Sequence, residues 1–211
     1  MTRDDSAFLI SCTKGSFAYA VRGADGVTLI DTSLPGRGPA ILAELAGRGV
    51  AAGDIRRVLL THHDVDHVGN AAFLQAETGC DIFIHPLDYP YLMEGKPRDG
   101  FKRVLGFLMR LPRPERVDPI DGDAIGDFGV IPTPGHTPGH VAYRFGDVLF
   151  VGDLVGSRQG RLTRTPGFLN QDTAAARESL HRLPHEGVAW LCPAHGLPVP
   201  ATALAEFRRD L

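Results

Sequence analysis

The sequence predicts an α/β (α+β) fold in which two β-α layers face each other, and three observations carry that prediction. Short strands lead into helices in broadly similar order in each half of the chain, which suggests two layered units and not one parallel sheet. No Pro/Gly/Ser-rich linker, low-complexity tract or fixed-period repeat divides the 211 residues, so 1–211 reads as one domain. Histidines and aspartates collect on loops just past apolar strands, where a rigid scaffold can aim them.

The first strands are "AFLISC", "FAYAVRG" and "VTLIDTS", rich in β-branched and aromatic residues and separated by glycine-containing turns. "PAILAELAGRG" starts with Pro39, spaces Ile41, Leu42, Leu45 and Ala46 at helical period, and stops at glycine. "RRVLLT" is continuously apolar, as a buried central strand would be. "AAFLQAETG" reads as a helix and "CDIFIHP" as the next strand, giving a β-α-β unit around the histidine cluster. Residues 87–117 differ in character and read as an insertion or lid, with a helix at "FKRVLGFLMRL". Strands return at "DAIGDFGVIPTPG", "HVAYRF" and "VLFVGD". A helix at "DTAAARESLHRL", a strand at "VAWLCP" and a helix at "TALAEFRRDL" follow.

The apolar fraction is 43% and the formal charge −3, so no basic face supports a nucleic-acid partner. Cys12, Cys80 and Cys192 are widely spaced and odd in number, which indicates neither a disulfide framework nor a cysteine zinc site. The N-terminus lacks a secretory pattern and no apolar run is long enough to span a bilayer. These features lead us to expect a reducing, cytoplasmic setting without membrane attachment.

Four loops carry side chains that ligate metals: "THHDVDH" from Thr61, "PGHTPGH" from Pro134, "LFVGD" ending at Asp153, and "LCPAHG" around His195. A lone histidine beside glycine is usually not a ligand, but four such loops in one chain are a different matter. There is no G-x-S-x-G elbow and no cysteine with a plausible paired histidine, so the chemistry rests on these loops.

Taken in order, "THHDVDH", "GH", "GD" and "PAHG", with Asp31 of the upstream "LIDTS", resemble the signature of the metallo-β-lactamase fold superfamily over roughly residues 8–200. The resemblance implies a four-layer αββα sandwich of two mixed sheets flanked by helices, with the metal site at the strand-end edge. It implies a first metal position at His62, residue 64 and His136, a second at Asp66, His67 and His195, and Asp153 bridging both. Asp31 would be structural. His63 falls at a variable position, second shell or exposed, and His85 and His140 match no ligand position.

The departure is Asp64, where the family normally has histidine. A carboxylate is shorter and anionic, which hardens the first position. Ligation is the favoured reading, with two divalent ions, zinc first and iron or manganese also compatible. The implied reaction is attack by metal-activated hydroxide on an ester, thioester or lactone of a small molecule, with Asp66 orienting the nucleophile. Tyr89, Tyr91, Phe101 and Arg164 are the candidate substrate contacts, and the apolar residues of the insertion serve equally well as a homodimer contact. The glyoxalase II enzymes of the superfamily carry an added C-terminal helical domain, whereas about fifteen residues follow His195 here, which leads us to expect one of the small single-domain hydrolases of the fold, whose substrates are diverse. The rival readings are a mononuclear iron persulfide-dioxygenase-like oxidoreductase, using His62, His136 and Asp153, and a non-catalytic protein with a decayed site.

Overall fold

The computed structural model describes residues 6–13, 15–97 and 111–209. One six-stranded sheet contains β1 (Ala7–Leu9), β2 (Tyr19–Gly23), β3 (Gly26–Ile30), β4 (Ile55–Leu59), β5 (Asp81–Ile84) and β6 (Asp118–Pro119) in chain order. It is antiparallel from β1 to β3 and parallel from β3 to β6. The second contains β7 (Ala124–Ile125), β8 (Phe128–Pro132), β9 (Val141–Phe145), β10 (Val148–Gly152), β13 (Trp190–Pro193) and β14 (Val199–Pro200), with β10 and β13 parallel. Both sheets are mixed, as expected.

Alternation along the strands explains the layering. In β4, Leu59 points into the cluster between the sheets, with Tyr19, Ile30, Phe128, Tyr143 and Phe150. Its neighbours Val58 and Leu60 point the other way, onto Ile41 and Leu45 of α1 (Gly38–Gly47) and Leu74 of α3 (Ala71–Thr78). The second sheet repeats the pattern: Leu149, Val151 and Leu191 meet Leu180 of α5 (Thr173–Arg182) and Leu204 of α6 (Thr202–Arg209). Every strand buried on both faces therefore reads as a continuous apolar run, which made these strands visible in the sequence. The result is the αββα sandwich.

Two elements differ from the expectation. "DAIGDFGVIPTPG" is not one strand but the hairpin β7–β8, which turns at Gly126, whose φ is +55°. The stretch after Asp153, to which the sequence assigns no strand, forms a hairpin of β11 (Val155–Arg158) and β12 (Arg161–Arg164). Its two-residue turn, Gln159–Gly160, has positive φ at both positions, a primed turn whose twist suits paired strands. Gln-Gly lacks the usual Asn-Gly or Asp-Gly signature, and the arginines hid the alternation.

The insertion begins with α4 (Tyr89–Met93). The expected helix at 101–111, including Phe101, lies outside the described residues apart from Leu111, which packs against the first core. Among the described residues no helix is long and apolar enough to cross a membrane.

Candidate metal centre

All four loops open at the same edge of the sandwich. β4 ends at Leu59, and the chain then runs through His62 and Asp64 into the one-turn helix α2 (Val65–Val68), which carries Asp66 and His67. His136 follows β8, Asp153 follows β10 and His195 follows β13. Gly152 has φ +50°, and a Cβ there would lie 2.7 Å from His140 Nε2 and 2.8 Å from Thr61 Oγ1. Only glycine lets β10 pass this point and present Asp153.

The donor atoms converge. Asp64 Oδ2 is 3.0 Å from His136 Nε2 and 3.4 Å from His62 Nε2. Asp66 Oδ2 is 3.3 Å from His195 Nε2 and 3.8 Å from His67 Nε2. Asp153 lies between the groups: Oδ1 is 3.2 Å from His67 Nε2, and Oδ2 is 3.4 Å from His136 Nε2 and 3.3 Å from His195 Nε2. In each of the triads His62–Asp64–His136, Asp66–His67–His195 and His62–His67–Asp153, one donor atom per residue lies within 4.8 Å of the others.

Each imidazole presents Nε2 to the centre and is held from behind at Nδ1. His67 Nδ1 meets Asp31 Oδ2 at 2.8 Å, His136 Nδ1 meets Asn170 Oδ1 at 3.1 Å, His195 Nδ1 donates to the Gly15 carbonyl at 2.6 Å, and His62 Nδ1 meets Thr61 Oγ1 at 3.0 Å. Such outer partners fix ring orientation and leave the inner lone pair for a metal. Asp31 also accepts from the Thr61 N–H and hydroxyl, at 2.8 and 2.7 Å, in a left-handed backbone conformation of φ +58°. Its structural role was legible in the sequence.

These residues fit a pair of metal ions. His62 Nε2 and Asp153 Oδ1 are buried without a hydrogen bond, although carboxylate and imidazole atoms stand 3.4 and 3.2 Å away. Buried polar atoms left in that state cost free energy, and a cation shared among them removes the cost. Burial, aided by the nearby His67, pushes His62 well below the usual histidine range. Burial would also lower His67 and His195, but carboxylates outweigh it. Asp153, Asp31 and Asp66 hold His67 well above its ordinary value, and Asp153 and Asp66 push His195 up to about 10.

Several side chains fall outside the expected roles. His63 is not exposed: it is fully buried, stacks on Tyr91 with centroids 4.0 Å apart and planes 5° from parallel, and has Nδ1 2.8 Å from Asp88 Oδ2. Tyr91, expected at the substrate wall, is only 6% exposed and its ring is taken up by this stack. Tyr89 is half-buried and packs against the first core. His140 accepts from the Asp153 N–H at 3.1 Å through Nε2 and donates from Nδ1 to Thr133 Oγ1 at 2.8 Å. Burial, with His136 nearby, pushes it down to about 3, in keeping with that neutral acceptor. Of the three arginines after Asp153, Arg161 pairs with Glu206 at 2.9 Å and Arg158 adjoins the hairpin turn. Arg164 pairs in register with Val155, and Thr165 Oγ1 donates to the Asp153 carbonyl at 2.6 Å, so Arg164 stands at the metal end.

The family model of the metallo-beta-lactamase superfamily matches residues 13–195. The chain belongs to the metallo-beta-lactamase superfamily. It is 33% identical over 153 residues to the hydroxyacylglutathione hydrolase of Rhodopseudomonas palustris (strain BisB18), covering 70% of this chain and 51% of that protein. It is 27% identical over 212 residues to the probable metallo-hydrolase YflN of Bacillus subtilis (strain 168), covering 87% and 79%. Among solved structures, TTHA1623 in a di-iron-bound form superposes with a TM-score of 0.71 and 29% identity, covering 93% of this chain and 95% of that one. The chain spans about half the length of the hydroxyacylglutathione hydrolases that it matches.

Proposed function

We propose that this superfamily member is a two-metal hydrolase cleaving an ester-type bond, most plainly a thioester, in a small molecule. The observation that carries the reading is the joint convergence of His62, Asp64, His136, Asp66, His67, His195 and the central Asp153. The similarity to hydroxyacylglutathione hydrolases supports the thioester class.

When bound, divalent ions acidify water and polarise the carbonyl under attack. The chain supplies the rest. Asp66 and His195 are the open side of the centre, with side chains 26% and 45% exposed against 0–10% for the other five residues. Substrate therefore enters on that side, where Asp66 orients the attacking water by accepting its hydrogen. Among the described residues, the large apolar side chains left exposed are Leu87, Phe168 and Leu197. All three flank the centre in sequence: Leu87 precedes Asp88, Phe168 lies two before Asn170, and Leu197 two after His195. They suit an apolar acyl group, and Arg164 suits an anionic group on the substrate.

Imidazole-rich donors favour zinc, while the carboxylate at position 64 and the di-iron neighbour make iron the competitor. Elemental analysis of protein purified without chelator tests the reading. We expect about two ions per chain and about one in Asp64→Ala, together with thioesterase turnover. One iron per chain that is indifferent to Asp64→Ala would sink it. Arg164→Ala should raise KM for anionic thioesters about tenfold, roughly 1.4 kcal/mol, with kcat little changed.

A further inference from the structure

Asp88 is a buried carboxylate that none of the metal-ligand positions accounts for. Its Oδ2 accepts from the His63 backbone N–H at 3.1 Å and the Thr137 hydroxyl at 2.7 Å, and its Oδ1 accepts from the Gly139 N–H at 2.7 Å. One carboxylate thus ties the loop of His62 and Asp64 to the loop of His136, the two loops that build the first metal position. The fit is close enough to restrict its neighbour: a Cβ on Gly139 would lie 2.7 Å from Asp88 Oδ1.

The same carboxylate holds the His63 imidazole at Nδ1, 2.8 Å away, while Tyr91 covers the ring face. The other edge of the ring, Nε2, faces Asp64 Oδ1 at 3.8 Å. Asp64 is therefore divided between two sides. Oδ2 turns inward to His62 and His136, and Oδ1 turns outward to His63.

We infer that His63 and Asp88 are a positioning pair for Asp64, the carboxylate that replaces the usual histidine. A carboxylate, like the imidazoles of this centre, sits on a single methylene and can rotate away, so it too needs a group behind its outer oxygen. His63 stands there, clamped by Asp88 and Tyr91. This rests on the reading that Asp64 ligates the first metal.

The test is a double-mutant cycle read by metal binding, with Co²⁺ titrated into chelator-stripped chain and followed by its d–d absorption. His63→Phe keeps the stack on Tyr91 but removes both nitrogens, and should weaken one Co²⁺ site about 10- to 100-fold with an altered spectrum. His63→Gln, which keeps an amide nitrogen near Nε2, should restore part of that loss. In an Asp64→Ala background His63→Phe should add little. Asp88→Asn enters the same cycle if His63→Phe does not fold. An equal loss with and without Asp64, or no loss at all, overturns the inference and leaves the metal centre standing. A native chain that takes up no Co²⁺ overturns both.

Discussion

At position 64 a carboxylate stands beside the imidazoles of His62 and His136, and the consequences are local. Asp64 Oδ2 reaches to 3.0 Å of His136 Nε2, so its shorter side chain is not out of range of the first position. The protons on the histidines give a second consequence. His195 is held at about 10 by Asp153 and Asp66, and His67 is held well above 6.5 by Asp153, Asp31 and Asp66. Both are raised, so their protonated forms stabilise the metal-free chain fully below about 6.5; the contribution of His195 is lost as pH rises through about 10, and that of His67 at a pH above 6.5. Metals need the neutral rings, so binding near pH 7 should release the proton of His195, and affinity should rise with pH. Calorimetry in buffers of different ionisation enthalpy reads the count. A release of zero would mean that these rings are already neutral.

At the scale of elements, each ligand depends on the strand end behind it. The "GD" step at β10 is tightly constrained, because Gly152 is left-handed and His140 and Thr61 leave no room there for a Cβ. Gly152→Ala should cost about 1–3 kcal/mol in urea unfolding and displace Asp153, lowering metal content. The β11–β12 hairpin and the following turn (Gly167–Leu169) bring Asn170 to His136, with Phe168 two residues before it. Phe168→Ala should raise KM more for long-chain than for acetyl thioesters, with unfolding unchanged. An equal effect on both would remove it from the acyl site.

At the scale of the molecule, the candidate metal centre joins two sheets: His62, Asp64, Asp66 and His67 come from the first, and His136, Asp153 and His195 from the second. Ions bound only by the assembled sandwich stabilise it by mass action, about 2.7 kcal/mol at a free concentration one hundred times Kd. Chelation should therefore lower Tm by several degrees, and Zn²⁺ should restore it. A Tm indifferent to chelator would mean that the two sheets hold the site without help.

The apolar strands of the core and the metal-capable residues of the loops were legible in the sequence alone, because both are written in near neighbours. Leu59 and Val58 declare opposite faces by alternation, and His62, Asp66 and His67 lie within six residues of one another. Asp88, Asn170 and the Gly15 carbonyl were not legible as parts of the site. They are ordinary groups 25, 34 and 180 residues from the histidines they hold, and nothing local marks them. Tyr91 shows the same limit in reverse, since its aromatic ring suited a substrate wall until folding stacked it on His63. The tertiary structure decided these roles, because hydrogen bonds and ring contacts act over a few ångströms of space and are indifferent to distance along the chain.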